Sequence, residues 1–213
     1  MDFHLMPRAR DRNYTGFLTK TIVYSGTFVL FLGSFGLTLA SIVIPDWVSF
    51  HSELPPFRYS YGLHRRCSSI TDTCEDFPQP QDCHGRDRYF CSMWRSVGFL
   101  MSFAVVLQAI SVVSYVIIIW GNKQLREGGW RPLSWMVIMS ATVQAASMAI
   151  VAYLYDNEDR FFAGWRLGES WVYCTVSWCV SVVCAGSLMV GAHTLPSEGG
   201  YELIPERPDE SGY

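Results

Sequence analysis

Cys67, Cys74, Cys83 and Cys91 share one polar segment with His64 and His84. Thiols and imidazoles grouped in this way either oxidise to disulfides or hold a metal ion. The spacing is not that of paired C-x-x-C zinc ligands, which favours disulfides over a metal site. Four cysteines allow three connectivities; the sequential one, Cys67 with Cys74 and Cys83 with Cys91, closes two short loops and is preferred. Catalysis needs a nucleophile, a base and an oxyanion site in convergence. The chain contains no glycine-rich phosphate loop, no H-E-x-x-H and no G-x-S-x-G elbow. The expectation is a protein that is not an enzyme and carries no cofactor and no metal. Cys174, Cys179 and Cys184 fall in an apolar run, where they read as small packing residues.

The elements that position these residues are membrane elements. Half of the 213 residues are hydrophobic and 16% are charged, with the apolar residues gathered into runs at 21–44, 96–120, 133–155 and 172–192. No run contains Lys, Arg, Asp or Glu. Each is long enough to cross a hydrocarbon core of about 30 Å at about 1.5 Å per residue, and helices satisfy their own backbone groups in lipid. The predicted fold is membrane all-α, a left-handed four-helix transmembrane bundle with a small disulfide-stapled extracellular β-sheet in the first loop. The first run is too long for a signal peptide, whose apolar region spans about 7 to 15 residues, and reads as a retained anchor.

Basic residues near the helix ends set orientation. Arg8, Arg10, Arg12 and Lys20 precede the first run, and Lys123, Arg126 and Arg131 lie in the short second connection. The arginines of the first and third connections are diluted by acids and length. Both termini are therefore expected in the cytosol, on a multi-pass protein that reaches the plasma membrane by the secretory pathway. The expected division is a cytosolic segment 1–20, spans 21–44, 93–120, 133–155 and 172–193, extracellular loops 45–92 and 156–171, a cytosolic turn 121–132 and a cytosolic tail 194–213. All four loop cysteines then face an oxidising compartment. The sequon Asn13-Tyr14-Thr15 faces the cytosol and stays unmodified. A net charge of −3 divided between compartments gives no reason to expect nucleic acid.

Within the first loop, Phe57-Arg58-Tyr59-Ser60-Tyr61 alternates as a short strand does. A sheet this small needs disulfides and the helix ends to stabilise it. Phe161 and Phe162 in the second loop suggest a contact surface or interfacial anchor. Small residues permit close helix approach in lipid, so Ala141, Ala145 and Ala149, Ser177, Ser181 and Ala185, and Gly26, Gly33 and Ala40 are the expected seams. Gln108 and Gln144 lie at similar depth and are expected to bond each other, worth about 1 kcal/mol. Few polar groups occur at mid-membrane, so a transporter or pore is not expected. Arg95, at the mouth of the second helix, either snorkels to headgroups or clamps the sheet to the bundle through loop carboxylates or carbonyls.

With Trp47 ahead of Gly62, Leu63, Cys67 and Cys74, and Arg95 at the start of the second helix, the chain resembles the claudin and peripheral myelin protein superfamily. Leu167-Gly168 followed by Ser170-Trp171 resembles that family's run into its fourth helix. His64 replaces the family's second tryptophan, the gap between Cys67 and Cys74 is shorter, and Cys83 and Cys91 are additional. The likeness is therefore to divergent branches, such as fungal membrane-organising tetraspans or auxiliary-subunit tetraspans. It implies that Trp47, Gly62, Leu63 and a Cys67–Cys74 bridge hold a small sheet over the bundle. It also implies that Phe161 and Phe162 sit at the tip of the second loop, where lateral or opposing contacts form.

Two functions follow as expectations. One is a tetraspan that organises membrane domains or mediates adhesion through its loops and self-assembly. The other is an auxiliary subunit that stabilises or traffics a channel, transporter or synthase. The partners are the lipid bilayer and either a second copy or another membrane protein. Tyr201-Glu202-Leu203-Ile204 fits the Y-x-x-Φ pattern read by sorting adaptors, and Ser211-Gly212-Tyr213 is a marginal PDZ ligand.

Overall fold

A computed structural model describes residues 20–53, 55–85, 87–121 and 123–195. The sequon at Asn13, the basic Arg8, Arg10 and Arg12, the Tyr201 to Ile204 motif and the C-terminal Tyr213 lie outside the described residues. Among the described residues, four helices are long and apolar enough to cross a membrane: α1 (Lys20–Val43), α2 (Asp87–Trp120), α4 (Trp130–Asn157) and α5 (Glu169–Thr194). A short helix, α3 (Lys123–Gly128), occupies the connection expected to be a simple turn.

The helices form a ring in which α1 packs mainly on α5, α5 on α4, α4 on α2, and α2 on α1. Their outer faces carry large apolar side chains such as Val29, Leu30, Val106, Val113, Val183 and Val190, while hydroxyls and amides turn inward. This is the expected arrangement for chains dissolved in hydrocarbon, where a polar side chain gains most from another helix. Between α1 and α5, Ser34 Oγ lies 2.9 Å from both Ser177 Oγ and Ser181 Oγ, and Thr38 Oγ1 lies 2.7 Å from Ser177 Oγ.

Two of the expected seams are corrected by this geometry. In α1 the buried face is Tyr24, Thr27, Phe31, Ser34, Thr38 and Ser41, whereas Gly26 and Gly33 point outward with open space where a Cβ would stand. In α4 the inward face is Ser140, Ala141, Gln144, Ser147, Val151 and Leu154; Ala145 is only half-buried and Ala149 is exposed. The Ser177, Ser181 and Ala185 seam of α5 is buried as expected. Gln108 and Gln144 are both fully buried, but neither amide has a hydrogen-bond partner. Among the described residues no hydrogen bond joins them, so similar depth on packed helices is not enough to pair two amides. Cys174 and Cys184 are buried packers, whereas Cys179 is exposed on the outer face of α5.

Helix α2 starts at Asp87 rather than near residue 93, so it begins almost two turns before the expected span. The prolines and Gly85 of the loop end before this point, and Asp87 favours the positive helix N-terminus. At 34 residues, α2 is about 51 Å long and exceeds a bilayer core of about 30 Å.

A five-stranded antiparallel sheet stands on the end of the ring near Val43 and Asp87. Its strands are β1 (Val48–Glu53), β2 (Pro56–Tyr61), β3 (Arg65–Ser68), β4 (Thr73–Asp76) and β5 (Trp165–Leu167), in the order β4-β3-β2-β1-β5. The alternation read in residues 57–61 is therefore a strand, and the second loop contributes a strand of its own. Strand β5 pairs with β1 through Val48↔Leu167 and Phe50↔Trp165. This sutures the two loops into one platform.

Candidate functional site

Because β1 and β2 pair in the register Val48↔Tyr61, Phe50↔Tyr59 and Ser52↔Phe57, the period-two alternation puts Val48, Phe50, Phe57, Tyr59, Tyr61, Trp165 and Leu167 on one face. That face is an aromatic sheet core. Tyr61 contacts Phe77, Phe161 and Trp165 at ring-centroid distances of 4.9, 6.0 and 5.5 Å, and Phe90 stacks on Trp94 of α2 at 5.4 Å. Burial, reinforced by the neighbouring Tyr59, pushes the Tyr61 phenol up to about 12 from its usual 10.0.

Phe161 and Phe162 part company here. Phe161 is half-buried against Tyr61, Phe90, Tyr155 and Trp165, so it packs against the sheet core rather than standing free at a loop tip. A β5 strand beside it folds the loop back onto the sheet, and its ring is consumed in that packing. Phe162 remains 60% exposed. It lies 5.5 Å from the half-buried Phe50, which in turn lies 5.7 Å from Phe57. The three rings form the aromatic edge of the platform.

The other motif residues converge where the sheet meets the helices. Trp47 is fully buried; its backbone N–H donates to Tyr61 O at 2.8 Å and its indole Nε1 to Ser41 O at 2.7 Å. Trp94 Nε1 of α2 donates to Gly62 O at 3.2 Å, and Leu63 is buried alongside. Gly62 must be glycine for reasons of space, since a Cβ there would stand 2.5 Å from Pro45 Cα. The sheet is thus fixed to both α1 and α2 by indole hydrogen bonds.

A residue that sequence reasoning passed over completes the junction. The Asp46 carboxylate accepts from Arg58 Nη2 at 2.8 Å and from the backbone N–H of Glu169 at 3.3 Å, while Asp46 O accepts from Ser170 N at 3.0 Å. It supplies the buried negative charge at the α5 N-terminus, where helix N–H groups lack partners. Gly168 lets α5 approach so closely that a Cβ would meet Asp46 O at 2.1 Å. The signal available in sequence was an acid placed beside Trp47 at the end of a span, with Gly168 and Ser170 beginning another.

Both disulfides follow the sequential pairing. Cys67–Cys74 is a cross-strand bridge between the paired positions of β3 and β4, and Cys83–Cys91 ties a 3₁₀ turn (Pro80–Cys83) to the second turn of α2. With these thiols bonded in pairs, His64 and His84 have no thiolate beside them to share a metal. Beyond the bridges, Arg66 reaches Glu75 at 2.8 Å and Asp82 at 3.2 Å, Arg160 pairs with Asp87, and the Arg160 guanidinium lies 4.3 Å above the Phe90 ring.

Arg95 does not clamp the sheet. Its side chain is exposed and makes no ion pair or hydrogen bond among the described residues; the adjacent Trp94 provides the link to Gly62 instead. In comparisons with known proteins, no protein-family model and no curated protein matches this chain.

Proposed function

We propose that this chain is a divergent claudin-like tetraspan that organises plasma-membrane domains, or mediates contact between membranes, by assembling with copies of itself through its sheet. The four helices form a left-handed bundle with both termini in the cytosol and the sheet outside. The reading rests above all on Phe162, an exposed aromatic at the edge of a disulfide-stapled platform, continuous with the half-buried Phe50 and Phe57. Exposed aromatics beside a rigid scaffold are the usual anchors of protein contacts. On this reading the chain acts by binding.

The test is crosslinking and native mass measurement of the tagged chain purified in mild detergent at its natural abundance. Self-assembly predicts homo-oligomers linked through the loops, and Phe162→Ser disperses them while leaving the surface amount and both disulfides unchanged. If the chain instead copurifies at fixed stoichiometry with one different membrane protein, and Phe162→Ser leaves that pairing intact, it is an auxiliary subunit.

A further inference from the structure

One face of α2 changes character abruptly where the helix leaves the apolar run. Arg88, Ser92 and Arg95 lie within its first three turns and are all exposed. Phe99, 70% exposed, and Phe103 follow on the same side one and two turns further along. The 3₁₀ turn, held against α2 by Cys83–Cys91, forms the facing wall of an open groove of about 920 Å³ that Arg88, Ser92, Arg95, Ser96, Phe99 and Leu100 line on the helix side.

The charges in this groove are uncommitted. The two carboxylates nearest in sequence are already engaged: Asp82 by Arg66 at 3.2 Å and Asp87 by Arg160. Among the described residues, no Asp or Glu lines the groove. Arg88 and Arg95 make no ion pair among the described residues. Seven positions apart, they sit about 10 Å from each other along the helix. Ser92 lies between them. Two guanidinium forks above an apolar strip complement an amphiphile whose phosphate sits at the water boundary and whose acyl chain runs along the helix.

We propose that this groove is a binding site for one anionic phospholipid. Arg88 and Arg95 hold the headgroup phosphate, Ser92 offers a hydroxyl donor, and Phe99 and Phe103 carry the acyl chain. The site rests on the membrane-spanning reading of the four helices and is independent of self-assembly. Phe162→Ser can therefore leave oligomers intact, and so refute the assembly proposal, without touching lipid retention.

The full chain is reconstituted with an equimolar mixture of phosphatidylglycerol and phosphatidylcholine, extracted gently and weighed by native mass spectrometry. The wild-type chain is expected to retain one phosphatidylglycerol in preference to phosphatidylcholine. The double substitution Arg88→Gln with Arg95→Gln should weaken that retention about tenfold, the loss expected for one strong charge-assisted contact. Arg65→Gln, an exposed arginine on the sheet outside the groove, should not. Millimolar inorganic phosphate should leave the lipid in place. Arg95→Gln alone gives a second reading in the same direction should the double variant fail to extract as a single species. Equal retention of phosphatidylcholine, an equal loss with Arg65→Gln, unchanged retention in the groove variants, or displacement by inorganic phosphate would each overturn the proposal.

Discussion

At the scale of single residues, the junction between sheet and helices depends on close approaches as much as on bonds. Gly62 carries the clearest case. Its carbonyl accepts the Trp94 indole, its N–H donates to Arg65 O at 2.7 Å, and its Cα faces Pro45 so closely that one added methyl would collide with backbone rather than with a movable side-chain tip. Gly62→Ala is therefore expected to lower stability by about 1–3 kcal/mol, the usual cost of overpacking. Gly85, whose φ is +64°, is a contrasting control, because its cost is backbone strain with open space around it. Thermal unfolding in detergent, read alongside reduction-resistant gel mobility, distinguishes the two. Gly62→Ala should loosen the sheet from α2 and expose Trp94 to quenchers, whereas Gly85→Ala should leave Trp94 shielded. Equal quenching in both variants would mean that the contact with Pro45 does not hold the junction closed.

At the scale of elements, length and freedom from charge made the four helices legible in the sequence, and strict alternation made β2 legible. Which way each helix faces was not. In lipid both the inner and outer faces are rich in apolar residues, so the contrast that orients a water-soluble helix is missing. Small size alone pointed to Gly26 and Gly33, whereas the hydroxyl series Thr27, Ser34, Thr38 and Ser41 marks the true inner face of α1. Strand β5 escaped notice because three residues carry too little pattern to announce a partner in the other loop. The adjacent positions Ser34 and Gly33 therefore make a sharp test. Ser34→Leu forces a bulky side chain between α1 and α5, where Ser34 Oγ also donates to Ser177 O at 2.9 Å. It should cost about 1–3 kcal/mol. Gly33→Leu projects into open space and replaces a poor helix former, so it should be neutral or stabilising by up to about 1 kcal/mol. The thermal midpoint of dilute, monomeric chain in detergent is the measurement, and comparable losses in both variants would show that α1 is turned the other way.

For the whole molecule, the geometry and the proposed orientation meet in the sheet. Two disulfides, four apolar helices and a platform made from both the first and third connections form one unit, so the two loops must lie on the same side of the membrane. That much follows from strand pairing. The proposal that this side is the exterior rests on the basic flanks at Arg8, Arg10 and Arg12 and at Arg131; thiols oxidise and asparagines are glycosylated on that side. The turn between β3 and β4 offers a direct reporter, because Thr71 is exposed and Thr73 follows two positions later. Thr71→Asn completes a sequon there with little disturbance to the sheet, since both residues are exposed at its outer edge and the change removes one exposed hydrogen bond, from Thr73 Oγ1 to Thr71 Oγ1 at 2.9 Å. In secreting cells this variant should gain one glycan, removable by an endoglycosidase, while the sequon at Asn13 in the unaltered chain remains bare. A glycan at Asn13, with none gained by Thr71→Asn, would reverse the orientation. It would place the stapled sheet in the cytosol, where its disulfides would have to survive a reducing pool, and the proposed contact between membranes would lose its location.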